Sequence, residues 1–112
     1  MKKLTEPSRE LSDRILKKVP FEKRFIGYRL SERHGASRIT SYSFQEVVNL
    51  LKDQMPRVDF LALKEWVRKV MGDEELAERM ATAVKEETND HDRAVSARNL
   101  MEERLAQCER MA

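Results

Sequence analysis

The chain has 112 residues, 38% of them charged and 40% hydrophobic, with a net charge of +2. A chain of this length buries about two-thirds of its unfolded surface and holds one small core, and the balance of apolar and charged residues favours a folded helical protein over a disordered one. No apolar run approaches the roughly 18 residues of a membrane span, and the single cysteine, Cys108, excludes an internal disulfide framework and a multi-thiolate zinc site.

The expected compartment is a reducing cytoplasm, since Met1-Lys2-Lys3-Leu4 leads into Thr5-Glu6-Pro7 rather than an apolar signal core. The net charge conceals an asymmetry: residues 1–57 hold 13 Lys/Arg against 7 Asp/Glu (+6), and residues 58–112 hold 9 against 13 (−4). A binding hypothesis therefore belongs to the first half.

Thr5 or Glu6 can open a first helix with Pro7 in its first turn, and Leu11, Ile15, Leu16 and Val19 give it an apolar side until Pro20, so a helix is expected over about residues 6–19. Arg24-Phe-Ile-Gly-Tyr-Arg-Leu30 is rich in aromatic and branched side chains. With the turn residues Ser31-Glu-Arg-His-Gly35 and the segment Ser37–Thr40 it predicts a short hairpin over about 24–40, interrupted at Gly27. Ser43-Phe-Gln-Glu46 is a capping-box pattern, in which the hydroxyl and the carboxylate each satisfy an amide at a helix start. Phe44, Val47, Val48, Leu51 and Met55 continue one apolar face toward Pro56, predicting a helix over about 44–55.

From Asp59, a good N-cap, the residues Phe60, Leu63, Trp66, Val67, Val70 and Met71 fall within roughly 140° of a helical wheel. Gly72 stands where a left-handed residue closes a helix, and Asp73 where the next is capped, with Glu74 and Glu75 at the positive end of its dipole. Helices over about 59–71 and 74–87 follow, the second with Leu76, Met80, Ala83 and Val84 inward. A last helix, about 91–111, has N-caps in Asn89 and Asp90 and a stripe of Ala94, Ala97, Met101, Leu105 and Cys108. Set in heptads, that stripe is broken by Arg104, so the helix is expected to pack on its own domain with Arg104 reaching out along the edge, in a monomer or weak homodimer.

Catalytic patterns are sparse. His34 and His91 lie in predicted loops; Asp90 and Asp92 flank His91, but the spacing matches no helical pair of metal ligands. Cys108 has only Glu109 beside it, which would raise a thiol pKa, and its place on the apolar stripe makes it a small core residue. Asp73, Glu74, Glu75 and Glu78 form an acidic run that helix-terminal electrostatics accounts for. Gly27, Gly35 and Gly72 are too dispersed for a phosphate loop. No catalytic residue, metal or cofactor is expected.

The hairpin is the more informative surface. Lys23, Arg24, Arg29, Arg33 and Arg38 are interleaved with Phe25, Tyr28 and Tyr42, and cations beside aromatic rings on a ribbon suit phosphate contact with base stacking, diluted here by Glu22 and Glu32. The alternative is a solvated ribbon whose aromatics pack on helices. Met55, Met71, Met80 and Met101 fit core stripes, or a groove for a partner helix.

Ile39-Thr-Ser with the capped helix Phe44–Leu51, followed by Trp66-Val67-x-x-Val70-x-Gly72-Asp73-x-x-Leu76-Ala77, resembles a group of short uncharacterised prokaryotic domains that carry a W-[IV]-x-x-V-x-G-D-x-x-L-A segment. The resemblance spans about residues 24–81, with Met55-Pro-Arg-Val58 in place of the polar stretch usual before the tryptophan helix. It implies a fold and no catalytic residue.

The expectation is one domain, 1–112, mainly α (small α+β): one helix, a short β-hairpin, then four helices packed around the Trp66 helix. Its function is expected to be that of a non-enzymatic protein-interaction or regulatory module, using the hairpin face or a groove beside Trp66. The alternative is a small nucleic-acid-binding protein using residues 23–42. The surface residues in question are Lys23, Arg24, Tyr28, Arg29, Arg33, Arg38 and Tyr42, and no membrane contact is expected.

Overall fold

Each of the five α-helices of the computed structural model, which describes residues 3–112, begins at a short polar side chain that accepts a hydrogen bond from its first turn. Ser8 opens α1 (Arg9–Leu16), Ser43 opens α2 (Phe44–Leu51), Asp59 opens α3 (Phe60–Trp66), Asp73 opens α4 (Glu74–Glu86) and Asn89 opens α5 (Asp90–Met111). Between them lie β1 (Phe25–Ser31) and β2 (Gly35–Ser41), which form the expected hairpin, and β3 (Pro56–Arg57). The three strands make one antiparallel sheet in the order β2-β1-β3. The protein is thus mainly helical with a small sheet, as expected. None of its helices among the described residues is long and apolar enough to cross a membrane.

The tryptophan helix ends as predicted, with an added π turn at Val67–Met71. Gly72 closes it at φ +75, Asp73 N–H bonds back to Val67 O at 3.1 Å, and Arg14 Nη1 of α1 donates to Met71 O at 3.1 Å. The positive φ is what calls for glycine at this corner; a Cβ on Gly72 would in addition meet Arg14 Nη1 and push that flexible guanidinium off Met71 O. Trp66 is 7% exposed; its indole N–H donates to Lys23 O at 2.7 Å and its ring meets Phe25 at 5.8 Å, which fixes the hairpin base to α3. Leu63, Val67, Met71, Leu76, Met80, Met101 and Cys108 join the same core, and α5 packs against α1, α2, α4 and β3.

Four features depart from the expectations. The first helix is shorter than 6–19, because its flanks have better partners outside a helix. Leu4 and Pro7 are buried in an extended N-terminal strap, and Val19 N–H donates to Tyr42 O at 2.7 Å. The helix expected to reach Met55 stops at Leu51: Pro56 disfavours helical geometry at Met55, whose carbonyl accepts from Leu30 N–H at 3.0 Å, leaving its side chain exposed. The same segment supplies the unanticipated β3 on β1. Gly27 marks a close approach rather than an interruption: a Cβ there would lie 2.5 Å from Leu50 Cδ2 and 3.0 Å from Val58 Cγ1.

The fourth departure is Arg104. It does not reach outward but is 1% exposed, and its five N–H groups all find acceptors. Nε and Nη2 donate to Asp73 at 2.7 and 3.3 Å, Nη2 also to Glu75 at 2.9 Å, and Nη1 to Gln107 Oε1 at 2.7 Å and Thr5 O at 2.5 Å. Burial opposes the charged guanidinium, but hydrogen bonds and charge from Asp73 and Glu75 outweigh it and hold its pKa above the ordinary value. Gln107 Nε2 donates to Leu4 O at 2.9 Å, Leu4 N–H donates to Glu103 at 2.7 Å, and Thr5 donates from backbone and hydroxyl to Glu75. Side chains of α4 and α5 therefore grip the backbone of the strap.

Candidate functional site

Strand alternation sorts the hairpin residues onto two faces. Phe25, Gly27 and Arg29 of β1 share one face with Ser41, Ile39 and Ser37 of β2, and the approach of Leu50 to Gly27 identifies this as the face toward α2. Ile26, Tyr28 and Leu30, with Thr40, Arg38 and Ala36, lie on the opposite face. Tyr28 is in direct register with Arg38 on one side and Arg57 on the other, so an exposed ring stands between two cations in one row across all three strands.

The seven residues singled out in the sequence do not form one patch. Tyr28 and Arg38 share the outer face, and Arg33 sits in the turn beyond it. Arg29 points to the inner side and pairs with Asp53 at 3.3 Å. Arg24 lies 3.8 Å over the Phe21 ring and donates to Phe21 O, Lys23 contributes its carbonyl to Trp66, and Tyr42 accepts at its carbonyl from Val19 N–H and donates its own N–H to the Glu46 carboxylate. Arg57 completes the outer row and ion-pairs with Asp90 at 3.5 Å; sequence reasoning missed it because β3 was not foreseen. Arg33 and Arg38 have no ion pair among the described residues.

Backbone parity identifies a second feature. Leu30 N–H bonds to Met55 O, so the even-numbered residues of β1 direct their polar groups toward β3 and away from β2. Their β2 partners Ala36, Arg38 and Thr40 must then direct N–H and C=O groups outward, at the free edge of the sheet. One residue further on, Tyr42 C=O also faces outward and accepts from Val19 N–H at 2.7 Å. The edge thus receives a segment of its own chain at one end, and among the described residues no backbone hydrogen bond reaches the outward groups of Ala36, Arg38 and Thr40.

Beneath this edge, between β2 and α2, lies a cleft of about 250 Å³ lined by Arg29, Ile39, Thr40, Ser41, Glu46, Asn49, Leu50 and Asp53. Ser41 is 0% exposed and its hydroxyl has no hydrogen-bond partner among the described residues. Nothing in the sequence marks Ser41, since its isolation follows from the packing of β2 on α2.

No family model matches the chain. No curated protein and no solved structure matches it significantly.

The other sequence candidates are structural in their surroundings. Asp73 is 2% exposed, caps α4 through Leu76 N–H at 3.1 Å and pairs with Arg104. Cys108 is buried, and burial is the main cause that pushes its thiol pKa up, away from the reactive thiolate. His34 is exposed in the β1–β2 turn and His91 is exposed in the first turn of α5, and no group of three or more His, Cys, Asp or Glu residues among the described residues can hold a metal ion. A shallow cleft beside Trp66 is lined by Arg24, Phe25, Ala62, Glu65, Lys69 and Val70, with the indole N–H already committed to Lys23.

Proposed function

We propose that this protein is a non-enzymatic interaction module that docks a protein partner on its hairpin sheet. The observation that carries the reading is the free edge of β2 beside the exposed Arg38–Tyr28–Arg57 row. Exposed main-chain donors and acceptors are a template for pairing, and an aromatic ring flanked by arginines is the composition of an interface anchor. The reading takes the chain as one domain working in the cytoplasm, which the lone buried Cys108 fits. The resemblance of residues 24–81 to short prokaryotic domains concerns the fold and names no partner.

A photo-crosslinking residue at Tyr28, expressed in the source cell, is expected to trap a discrete protein, and the same residue at exposed Leu61 is not. The absence of any protein adduct at Tyr28 would contradict the reading.

The same row supports a second reading, nucleic-acid binding, because Tyr28 can stack on a base while Arg38 contacts phosphate. Charge disfavours it relative to the first: Arg29 and Arg57 are each paired with an aspartate. Titration with single- and double-stranded probes decides. This second reading requires affinity to fall steeply with salt and to be lost in Arg38→Glu; no binding at low salt would dismiss it.

A further inference from the structure

The edge and the cleft beneath it point to a more specific form of docking, resting on the protein-interaction reading above. We propose that β2 receives an extended acidic segment of a partner protein as a fourth, antiparallel strand of the sheet.

Three independent observations converge on this strand. Hydrogen-bond parity turns the N–H and C=O groups of Ala36, Arg38 and Thr40 toward open solvent. At the next outward position, Tyr42 C=O already accepts from Val19 N–H, so the outward groups of this edge are competent to pair with another segment of chain, and that end of it is occupied. Below lies the cleft lined in part by Ser41, whose buried hydroxyl has no hydrogen-bond partner among the described residues. A free edge alone is common, but an orphaned hydroxyl lining an adjoining cleft is a polar group awaiting a partner.

Geometry and charge define the occupant. In antiparallel pairing, directly opposed residues share a face, so the incoming residues that bond to Ala36, Arg38 and Thr40 carry their side chains onto the outer face. There they meet Arg38, with Arg33 beyond it at the turn, and acidic side chains complement both. The alternating incoming residues point to the cleft, where Ile39 and Leu50 offer apolar contact and a small side-chain shift would bring the buried Ser41 hydroxyl within reach; a threonine supplies a methyl for the first and a hydroxyl for the second. A second copy of the chain is a poorer occupant, because two β2 strands related by a two-fold axis at Arg38 would set Arg38 against its own copy.

The probe is a blocked peptide of about eight residues alternating glutamate with threonine, long enough at about 3.3 Å per residue to span the edge. Binding is followed by fluorescence anisotropy at low salt, and amide hydrogen exchange is read residue by residue. The glutamate peptide is expected to bind and to protect the Ala36, Arg38 and Thr40 amides. N-methylation at the glutamates, whose amides face β2, is expected to abolish this, and a lysine-for-glutamate peptide to fail. Arg38→Glu should weaken the acidic peptide by about tenfold or more and reverse the preference for the lysine peptide. Thr40→Pro removes one outward donor without touching the β1 ladder, and an unchanged thermal melt certifies its fold.

Peptide binding without protection of the three amides overturns strand addition while leaving outer-face docking intact. No binding, or equal binding of the N-methylated peptide, overturns it outright. Protection that appears with protein concentration alone would overturn it in favour of self-pairing. If Tyr28 crosslinking also fails, the underlying interaction reading falls with it.

Discussion

Arg104 shows how far a single residue can depart from its local sequence. Its heptad position breaks an apolar seam, and local reasoning sends such a side chain to the surface. Apart from Gln107, its partners lie far off in the chain: Asp73 is 31 residues away and Thr5 is 99. Only the packing of α4 and the N-terminal strap on α5 brings them together. Arg104→Ala would leave Asp73 charged and buried, and is expected to cost about 3–5 kcal/mol in denaturant unfolding. For Trp66 the local reading and the structure agree, since its apolar stripe predicts burial and the ring is buried. Trp66→Ala should cost about 3–5 kcal/mol by the same assay.

Glu75 gives the network a pH signature. Partial burial opposes its charged form, but the hydrogen bonds from Thr5 and the Arg104 guanidinium prevail and hold its pKa below the ordinary glutamate value. A carboxylate with a depressed folded-state pKa contributes stability that is full above the unfolded pKa and lost as pH falls through the folded one. The loss should therefore develop below the ordinary glutamate range. In acid titrations followed by circular dichroism, Glu75→Gln is expected to remove that part of the acid sensitivity, and identical acid profiles would argue against the linkage.

Among the elements, the legible features were those specified locally. Ser43, Asp59, Asp73 and Asn89 each cap the helix they were expected to cap, and Gly72 adopts the left-handed conformation its position required. Gly72→Ala tests the corner: the strained backbone costs about 1–2 kcal/mol, and displacing Arg14 adds to that, so a clear drop in melting temperature is expected. A neutral result would mean that the α3–α4 corner tolerates a different backbone. The strap and β3 were not legible for the opposite reason. Pro7 and Pro56 carry ordinary turn and helix-boundary signals, whereas their extended conformations are set by α4, α5 and β1, elements remote in sequence.

At the scale of the whole molecule, the charge asymmetry draws attention to the hairpin, but composition could not sort its residues by face or direction. Of seven expected surface residues, the fold keeps Tyr28 and Arg38 together on the outer face with Arg33 in the turn, adds Arg57, pairs exposed Arg29 with Asp53 on the other face, sets Arg24 over Phe21, and uses the backbones of Lys23 and Tyr42 to hold Trp66 and the Val19 segment. The site that results is a line of main-chain groups beside a cationic aromatic row, which depends on strand register and therefore on three segments at once. This arrangement makes the edge of β2 the central functional claim. The most direct measurement is residue-resolved amide hydrogen exchange of β2, alone and in complex with the protein trapped at Tyr28. The account predicts fast exchange at Ala36, Arg38 and Thr40 and slow exchange at Ser37, Ile39 and Ser41 in the free protein, with all six slow in the complex. The inverse alternation, or an edge that stays fast when the partner is bound, would contradict it.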